Sequence, residues 1–417
     1  MLRHLANSLA AQPWTEEALI AHLRHRLPPE LHRSARPLAR LLTGEFPGSA
    51  APDANNILPV LKLSAGGKRI LLYAKRTGTT LAPNLAPPCF QRQPAFPDVP
   101  PLATEFDLAD WLAITPDQLT RFADLRLLSA RTDNIFAPHY RHHLIPKRDG
   151  RLRLLEEPKP FLKTLQRRLL SGLIAKVPTH EAAFAFVAGR NCIMAAAKHA
   201  GEKLVLSFDL ADFFPSVGFH RIYGLFRTVG YPANVARHLT GLCTTAAPHL
   251  TDHQIAARDF LIGRHLPQGA PTSPALANLV AFRLDQRLSG LADRIGATYT
   301  RYADDLTFSG DPHIGAILRD AVPQIVLDEG FHLRSTKTRT MPSHERQLVT
   351  GIIVNEGLSL PREARDRLKA TLHHLARPGD ARRFDPVFMA RLSGTISWIE
   401  QVSPYHGSRF RHAFESV

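Results

Sequence analysis

Leucines recur at helical spacing along residues 1–45. Leu19, Leu23 and Leu27 fall on one stripe, which Pro28-Pro29 closes. The pattern changes over 46–101, where Pro, Gly, Ala and Asn dominate. One apolar-alternating stretch there, from Ile57 to Tyr73 around Gly66-Gly67, predicts a hairpin inside a loose linker. Helical spacing resumes near 104, with Leu108, Trp111 and Leu112 on one face. Thr115-Pro116-Asp117-Gln118 then supplies a capping Thr, a proline at the first helical position and a Gln three residues after the cap. Leu119, Phe122 and Leu125 carry that helix onward as core contacts.

From about 138 the signals are denser. Ile145 to Leu155 alternates around Arg148-Asp149-Gly150, a β-hairpin pattern. Pro160 starts a helix with Leu162, Leu165, Leu169 and Leu173 inward and Lys163, Arg167 and Arg168 outward. Lys203 to Asp209 reads as a short apolar strand ending in acid. Ser273-Pro274 caps a helix running through Leu276, Leu279, Leu284 and Leu288. Thr298 to Ser309 reads as two short strands joined at Ala303-Asp304, and helical spacing fills much of 361–376 and 384–400. No internal repeat is present.

Composition adds bounds. The chain has 417 residues, 44% apolar and 21% charged, which suits two or three packed domains with a sizeable core. Lys and Arg total 52 against 37 Asp and Glu, a formal charge of +15. That balance favours a polyanionic partner through counterion release, although solubility charge and an Arg-rich coding bias explain it equally well. Cys89, Cys192 and Cys243 are too few and too far apart for a disulfide framework or a zinc site, and fit a reducing cytoplasm. The pairs His142-His143 and His373-His374 lack ligand partners at zinc spacing and read as surface or RNA-facing side chains. The N-terminus is polar and helix-like rather than an apolar signal. No apolar run approaches the ~20 residues that span a bilayer, so no membrane partner is expected.

The acids carry the candidate chemistry. Leu204-Val205-Leu206-Ser207-Phe208-Asp209 puts an Asp at the end of a buried strand, and Tyr302-Ala303-Asp304-Asp305 puts two more at a hairpin tip. Buried carboxylates are costly unless a cation neutralises them. If strand end and tip are neighbours, three carboxylates converge and can hold two Mg²⁺ ions about 3.5–4 Å apart, which suits in-line displacement at phosphorus. Taken alone, Asp-Asp also suits a turn.

Tyr302-Ala303-Asp304-Asp305 between apolar residues resembles motif C of reverse transcriptases. Ser207-Phe208-Asp209-Leu210-Ala211-Asp212-Phe213-Phe214-Pro215-Ser216-Val217 resembles their motif A, and Leu266-Pro267-Gln268-Gly269-Ala270-Pro271-Thr272-Ser273-Pro274 their motif B. Order and spacing match over roughly 138–400. The resemblance implies an α+β right hand of fingers, palm (an antiparallel sheet backed by helices) and short helical thumb, behind a mostly helical N-terminal extension. The implied divisions are an extension of unknown role over 1–101, a helical lead-in over 102–137, fingers and palm over 138–348, and palm–thumb junction with thumb over 349–417. It implies an RNA-directed DNA polymerase using dNTPs and two Mg²⁺ ions. Asp209, Asp304 and Asp305 would be the metal ligands, with the Leu210 carbonyl completing one shell. Phe214 matches the aromatic that gates against a 2′-hydroxyl, with packing beside Phe213 the plainer reading. Gln268 and Gly269 would line the nucleotide pocket. Ile145-Pro146-Lys147-Arg148-Asp149-Gly150-Arg151-Leu152-Arg153 resembles the fingers hairpin, with Lys147 and Arg153 as triphosphate contacts or merely solvated cations. Lys337 resembles the motif D lysine, which either protonates departing pyrophosphate or simply contacts phosphate.

Further segments resemble bacterial retron reverse transcriptases. These are Lys159-Pro160-Phe161-Leu162-Lys163 followed by Gln166, Phe186-Val187-Ala188-Gly189-Arg190-Asn191 with Ala185 where Gly is usual, and Val349-Thr350-Gly351-Ile352-Ile353-Val354-Asn355 followed by Pro361-Arg362. Where that group has an Asn-Ala-x-x-His block, this chain has Ala195-Ala196-Ala197-Lys198-His199. The Asn is missing, and His199 reads equally as a helix-surface residue. Only 112 residues (417 − 305) follow Asp305, which suits a short basic thumb. Val349, Thr350 and Gly351, with Arg362, Arg365, Arg367, Lys369, Arg382 and Arg383, are its candidate RNA contacts; individually the cations also suit a solvated face. The resemblance implies a cognate noncoding RNA as template and primer, priming from an RNA 2′-hydroxyl, a branched RNA–DNA product, and an effector protein in anti-phage defence. The rivals are a defence reverse transcriptase with different priming and a non-catalytic RNA-binding scaffold.

Overall fold

The computed structural model describes residues 2–48, 52–77, 96–128, 139–147, 150–250, 252–377 and 379–416. The chain divides into two compact units, Met1–Arg92 and Gln93–Val417.

The first unit is helical: Leu2–Ala10, Glu16–Arg26, Ala35–Glu45, Ala54–Leu63 and Ala65–Thr77. Thr15 caps the second helix by accepting from the Ala18 amide. Leu19, Leu23, Leu38, Leu42, Ile57, Leu61 and Ile70 are buried in one cluster. The hairpin expected over Ile57–Tyr73 is not formed; two helices stand there instead. Ile57 and Leu61 are four apart, so one helical face buries both. The two glycines serve close packing rather than a turn. A Cβ on Gly66 would meet Leu38 Cγ at 2.5 Å, and one on Gly67 would meet the Leu61 carbonyl oxygen at 1.8 Å. Ser64 Oγ accepts from the Gly67 amide, which starts the fifth helix.

The second unit opens with helices Glu105–Leu112 and Pro116–Ala123, each held by a capping box. The latter stops with Asp124 in the left-handed region, so Leu125 lies beyond the helix expected to include it. Strands β1 (Tyr140–Pro146) and β2 (Leu152–Pro158) pair antiparallel; Arg148-Asp149 of the expected turn falls outside the described residues. Helix Pro160–Gly172 follows and buries Leu162, Leu165 and Leu169.

The central sheet is antiparallel, in the order β4 (Thr298–Tyr302), β5 (Asp305–Gly310), β3 (Leu204–Asp209), β6 (Arg339–Pro342). Strand β3 is apolar on both faces, and its period-2 alternation splits it between two cores. Leu204, Leu206 and Phe208 face the main cluster with Leu284, Leu288, Leu318 and Val322. Val205 joins a second cluster with Val349, Ile352, Leu368, Leu372 and Ile396. The helix expected from Ser273 through Leu288 is two, Ser273–Val280 and Phe282–Ile295, meeting at Ala281 (φ −78°, ψ 1°). Ser273 is its first residue rather than its cap, and its hydroxyl donates to the Pro267 carbonyl. The jog still leaves Leu276, Leu284 and Leu288 fully buried. Helices Arg362–Leu375, Pro386–Val402 and Pro404–Glu415 complete the unit. Among the described residues no helix is long and apolar enough to cross a membrane.

Candidate active site

Antiparallel register brings the acids together. Asp209, last in β3, lies directly opposite Asp305, first in β5. Ala303, in the left-handed region at φ 57°, makes the tight turn from β4, and the Leu210 amide donates to the Asp304 carbonyl at 2.8 Å. Like charges facing each other across a ladder repel. Burial, then Asp209, pushes the Asp304 carboxyl above its ordinary range. Burial, then Asp304 and Asp209, pushes Asp305 up to about 6.

Asp209 is 3% exposed. Its Oδ2 accepts from Lys337 Nζ at 2.6 Å, while its Oδ1 is buried without a hydrogen-bond partner. Arg334 stands 3.5 Å from that oxygen and also 3.4 Å from Asp212, and its amide donates to the Asp209 carbonyl. Among the described residues no group of three His, Cys, Asp or Glu side chains is already arranged to hold a metal ion. The donor set nevertheless suits one. Asp209 and Asp305 face each other with Asp304 adjoining, burial and like charge keep two of the three from ionising easily, and Asp209 Oδ1 is buried without a hydrogen bond. The Lys337 ammonium occupies part of that role here.

Beside the acids opens a pocket of about 280 Å³, lined among others by Lys147, Arg153, Phe214, Gln268, Asp304 and Lys337. Six expected residues on five segments thus share one cavity. Lys147 lies 3.9 Å from Asp212, and burial draws its ammonium below the usual lysine range. The Phe214 ring centroid is 5.5 Å from Phe213 and 6.3 Å from Phe186, so it forms both wall and packing contact. The Gln268 carbonyl accepts from the Glu156 amide at 2.8 Å, which ties the segment to β2. Gly269 lies against β2 at φ 129°, where a Cβ would stand 3.0 Å from the Glu156 carbonyl oxygen.

The expected RNA contacts do not join this pocket. Val349 is 2% exposed and sits in a core cluster. Thr350, at φ 50°, donates its hydroxyl to the Cys192 carbonyl, and Gly351, at φ 86°, completes the turn between β7 (Leu348–Val349) and β8 (Ile352–Ile353). Arg362, Arg367 and Lys369 are exposed on helix Arg362–Leu375, whereas Arg365 is half-buried against His406. Arg382 pairs with Asp380.

Sequence reasoning passed over Arg334 and Asp212. Asp212 lies inside the quoted string from Ser207 to Val217 and Arg334 three residues before Lys337, and only the fold shows their carboxylate contacts. The helix-surface alternative left open for His199 does not hold, because the side chain is fully buried. Its Nδ1 and Nε2 lie 2.7 Å from the Ser309 and Thr300 hydroxyls, on the two strands of the acidic hairpin. Burial without a carboxylate lowers its pKa to about 3.

Residues 145–354 match the family described as Reverse transcriptase (RNA-dependent DNA polymerase). The chain is 44% identical over 274 residues to the Retron Mx65 reverse transcriptase of Myxococcus xanthus, covering 65% of this chain and 63% of that one. It is 37% identical over 330 residues to the Retron Mx162 reverse transcriptase of the same organism, covering 74% and 66%. With the Retron Ec86 reverse transcriptase of Escherichia coli it shares 32% over 240 residues, covering 57% and 70%. It therefore spans 63% and 66% of the two Myxococcus xanthus relatives.

Proposed function

The chain belongs to the reverse transcriptase family, on its bacterial retron branch, and from that premise we propose that it is an RNA-directed DNA polymerase copying part of a cognate structured noncoding RNA into DNA. The observation that carries this reading is the Asp209–Asp305 pair beside Asp304, which lines a pocket together with Lys147, Arg153 and Phe214.

Asp209, Asp304 and Asp305 would hold two Mg²⁺ ions, with the Leu210 carbonyl as a further oxygen. Bound there, the metals would activate a primer hydroxyl and neutralise charge on the leaving pyrophosphate. Lys147 and Arg153 then bind the triphosphate, Arg through its planar fork. Phe214 closes the sugar side, so a 2′-hydroxyl collides with its ring and dNTPs are preferred. Gln268 orients sugar or template through its amide, and Gly269 keeps that segment close against β2. Lys337 donates a proton or a hydrogen bond to pyrophosphate.

Around this centre we read a retron system in the cytoplasm. Synthesis starts from an RNA 2′-hydroxyl, the product is a branched RNA–DNA hybrid, and an effector protein acts with it in anti-phage defence. The exposed cations Arg362, Arg367 and Lys369 suit phosphate contacts to the RNA, with Arg365, Thr350 and Gly351 shaping that surface and Val349 anchoring it.

Primer extension with the wild type and Asp304→Ala tests the centre. The variant is expected to lose activity by a factor on the order of 10³; equal activity would refute the site. Sequencing nucleic acid that copurifies tests the priming. Recovery of heterogeneous RNA without linked DNA would sink the retron reading, and a polymer joined to a protein hydroxyl would replace it with protein priming.

A further inference from the structure

Arg301 carries no exposed surface, yet it lies on β4 only two residues before the turn residue Ala303. Every nitrogen of its guanidinium is engaged. Nε and Nη2 donate to the two oxygens of Asp285 at 2.7 and 2.6 Å, and Nη1 donates to Asn278 Oδ1 at 2.9 Å and to the Ala303 carbonyl at 3.1 Å. The guanidinium carbon stands 5.6 Å from the Phe213 ring centroid. The partners extend the frame. Tyr299 donates its hydroxyl to Asp285 at 2.9 Å, and Asn278 Nδ2 donates to the Ala185 carbonyl at 2.8 Å. Asn278 is on helix Ser273–Val280, which follows the Gln268-Gly269 segment; Asp285 is on the next helix; Phe213 adjoins the pocket wall Phe214.

A buried ion pair is a poor source of stability, because desolvation consumes most of its Coulombic gain. A fully satisfied buried network instead fixes one arrangement of the elements that share it. Here those elements are the acidic turn, the helix after the nucleotide-pocket segment, and the aromatic wall. Ala303 pays a left-handed backbone at the tip, and the bond to its carbonyl helps hold that conformation.

We propose that Arg301 is a positioning residue for nucleotide addition: with Asp285 and Asn278 it locks the Ala303–Asp305 turn to helix Ser273–Val280 and to Phe213, so carboxylates and pocket wall keep one frame. This rests on the polymerase reading above. The role belongs to the fork rather than to the charge. A lysine ammonium could neutralise Asp285, but its three donors radiate from one nitrogen and cannot span both Asp285 oxygens, Asn278 and the Ala303 carbonyl together.

The test is single-dNTP incorporation by the full chain on a supplied RNA template and DNA primer at saturating Mg²⁺. Wild-type extension is established first; its absence would sink the polymerase reading and leaves Arg301 out of the question. Two variants are then compared after thermal melting shows that they fold. Arg301→Lys keeps a charge against Asp285, and Arg301→Met combined with Asp285→Leu removes both charges so that neither is stranded. If the double variant does not fold, Arg301→Lys carries the test. The expected result is a kcat lower by about 100-fold, the scale of a misplaced reacting group, with KM for dNTP within about threefold. A folded variant with kcat within threefold of wild type would overturn the proposal. So would an unchanged kcat with a raised KM, since that is lost binding rather than lost alignment.

Discussion

Both units bury aliphatic cores, but among the described residues only the second also buries a charged and polar network. The N-terminal unit closes over Leu9, Leu19, Leu23, Leu38, Leu42, Ile57 and Leu61, and its only buried polar residues among those described are Ser8 and Ser34. The unit that carries the acids buries Arg301, Asp285, Asn278, His199, Glu156 and His265 within its sheet and helices. Aliphatic cores are stable and forgiving, because hydrophobic side chains repack when volume is kept. Polar networks add less stability but admit one geometry. The difference teaches where position matters: polar networks fix side-chain separations in the second unit, whereas the described core of the first is held by aliphatic packing.

Three measurements would sharpen or break that contrast. The largest effect is expected from Leu23→Ala, which opens a cavity in the aliphatic core and costs about 2–5 kcal/mol of unfolding free energy. Incorporation on a supplied primer–template should stay within about twofold of wild type. A matching fall in turnover would mean that the first unit is part of the polymerising machinery. Phe214→Val comes next. It should leave the melting temperature nearly unchanged while raising rNTP use relative to dNTP on the order of ten- to a hundredfold. Loss of both substrates together would instead make the ring a packing residue.

The smallest effect, counted per pH unit, belongs to His199. Its folded pKa is about 3 against an ordinary 6.5, so below 6.5 the unfolded chain takes up a proton that the folded chain refuses. Its contribution is therefore complete above pH 6.5 and declines as pH falls toward 3, by at most about 1.4 kcal/mol per pH unit. Unfolding curves from pH 7 to 4 should slope less steeply for His199→Gln than for wild type. Identical slopes would show that the ring does not stay neutral in its hydroxyl pocket.

The site was more legible in the sequence than its supports. Asp209, Asp304, Asp305, Lys147, Arg153, Phe214 and Gln268 stand in strings quoted for their order and residue types; the fold lines one pocket with Asp304, Lys147, Arg153, Phe214 and Gln268 and pairs Asp209 with Asp305 on the adjoining strands. Arg301 and Asp285 stand in the same stretches but show no signal there. Sixteen positions separate two ordinary charged residues, and only the turn of the chain makes them a pair. His199 stayed open because a polar residue after an alanine run also suits a helix surface, whereas hydroxyls from β4 and β5 satisfy the buried imidazole. The Ile57–Tyr73 hairpin failed for a related reason. Gly66-Gly67 spelled a turn by composition, but the missing side chains make room for Leu38 and the Leu61 carbonyl.

The pairing of β3 with β5 has a consequence for what changes the protein can accept. Six consecutive partners, from Leu204 opposite Gly310 to Asp209 opposite Asp305, end on the two acids. Because side chains alternate between faces, shifting either strand by one residue turns its acid away and sends its apolar residues to the wrong core. Substitutions along these strands alter packing by degrees, but a single inserted or deleted codon would separate the carboxylates outright. Sequence length here is therefore held more tightly than sequence identity.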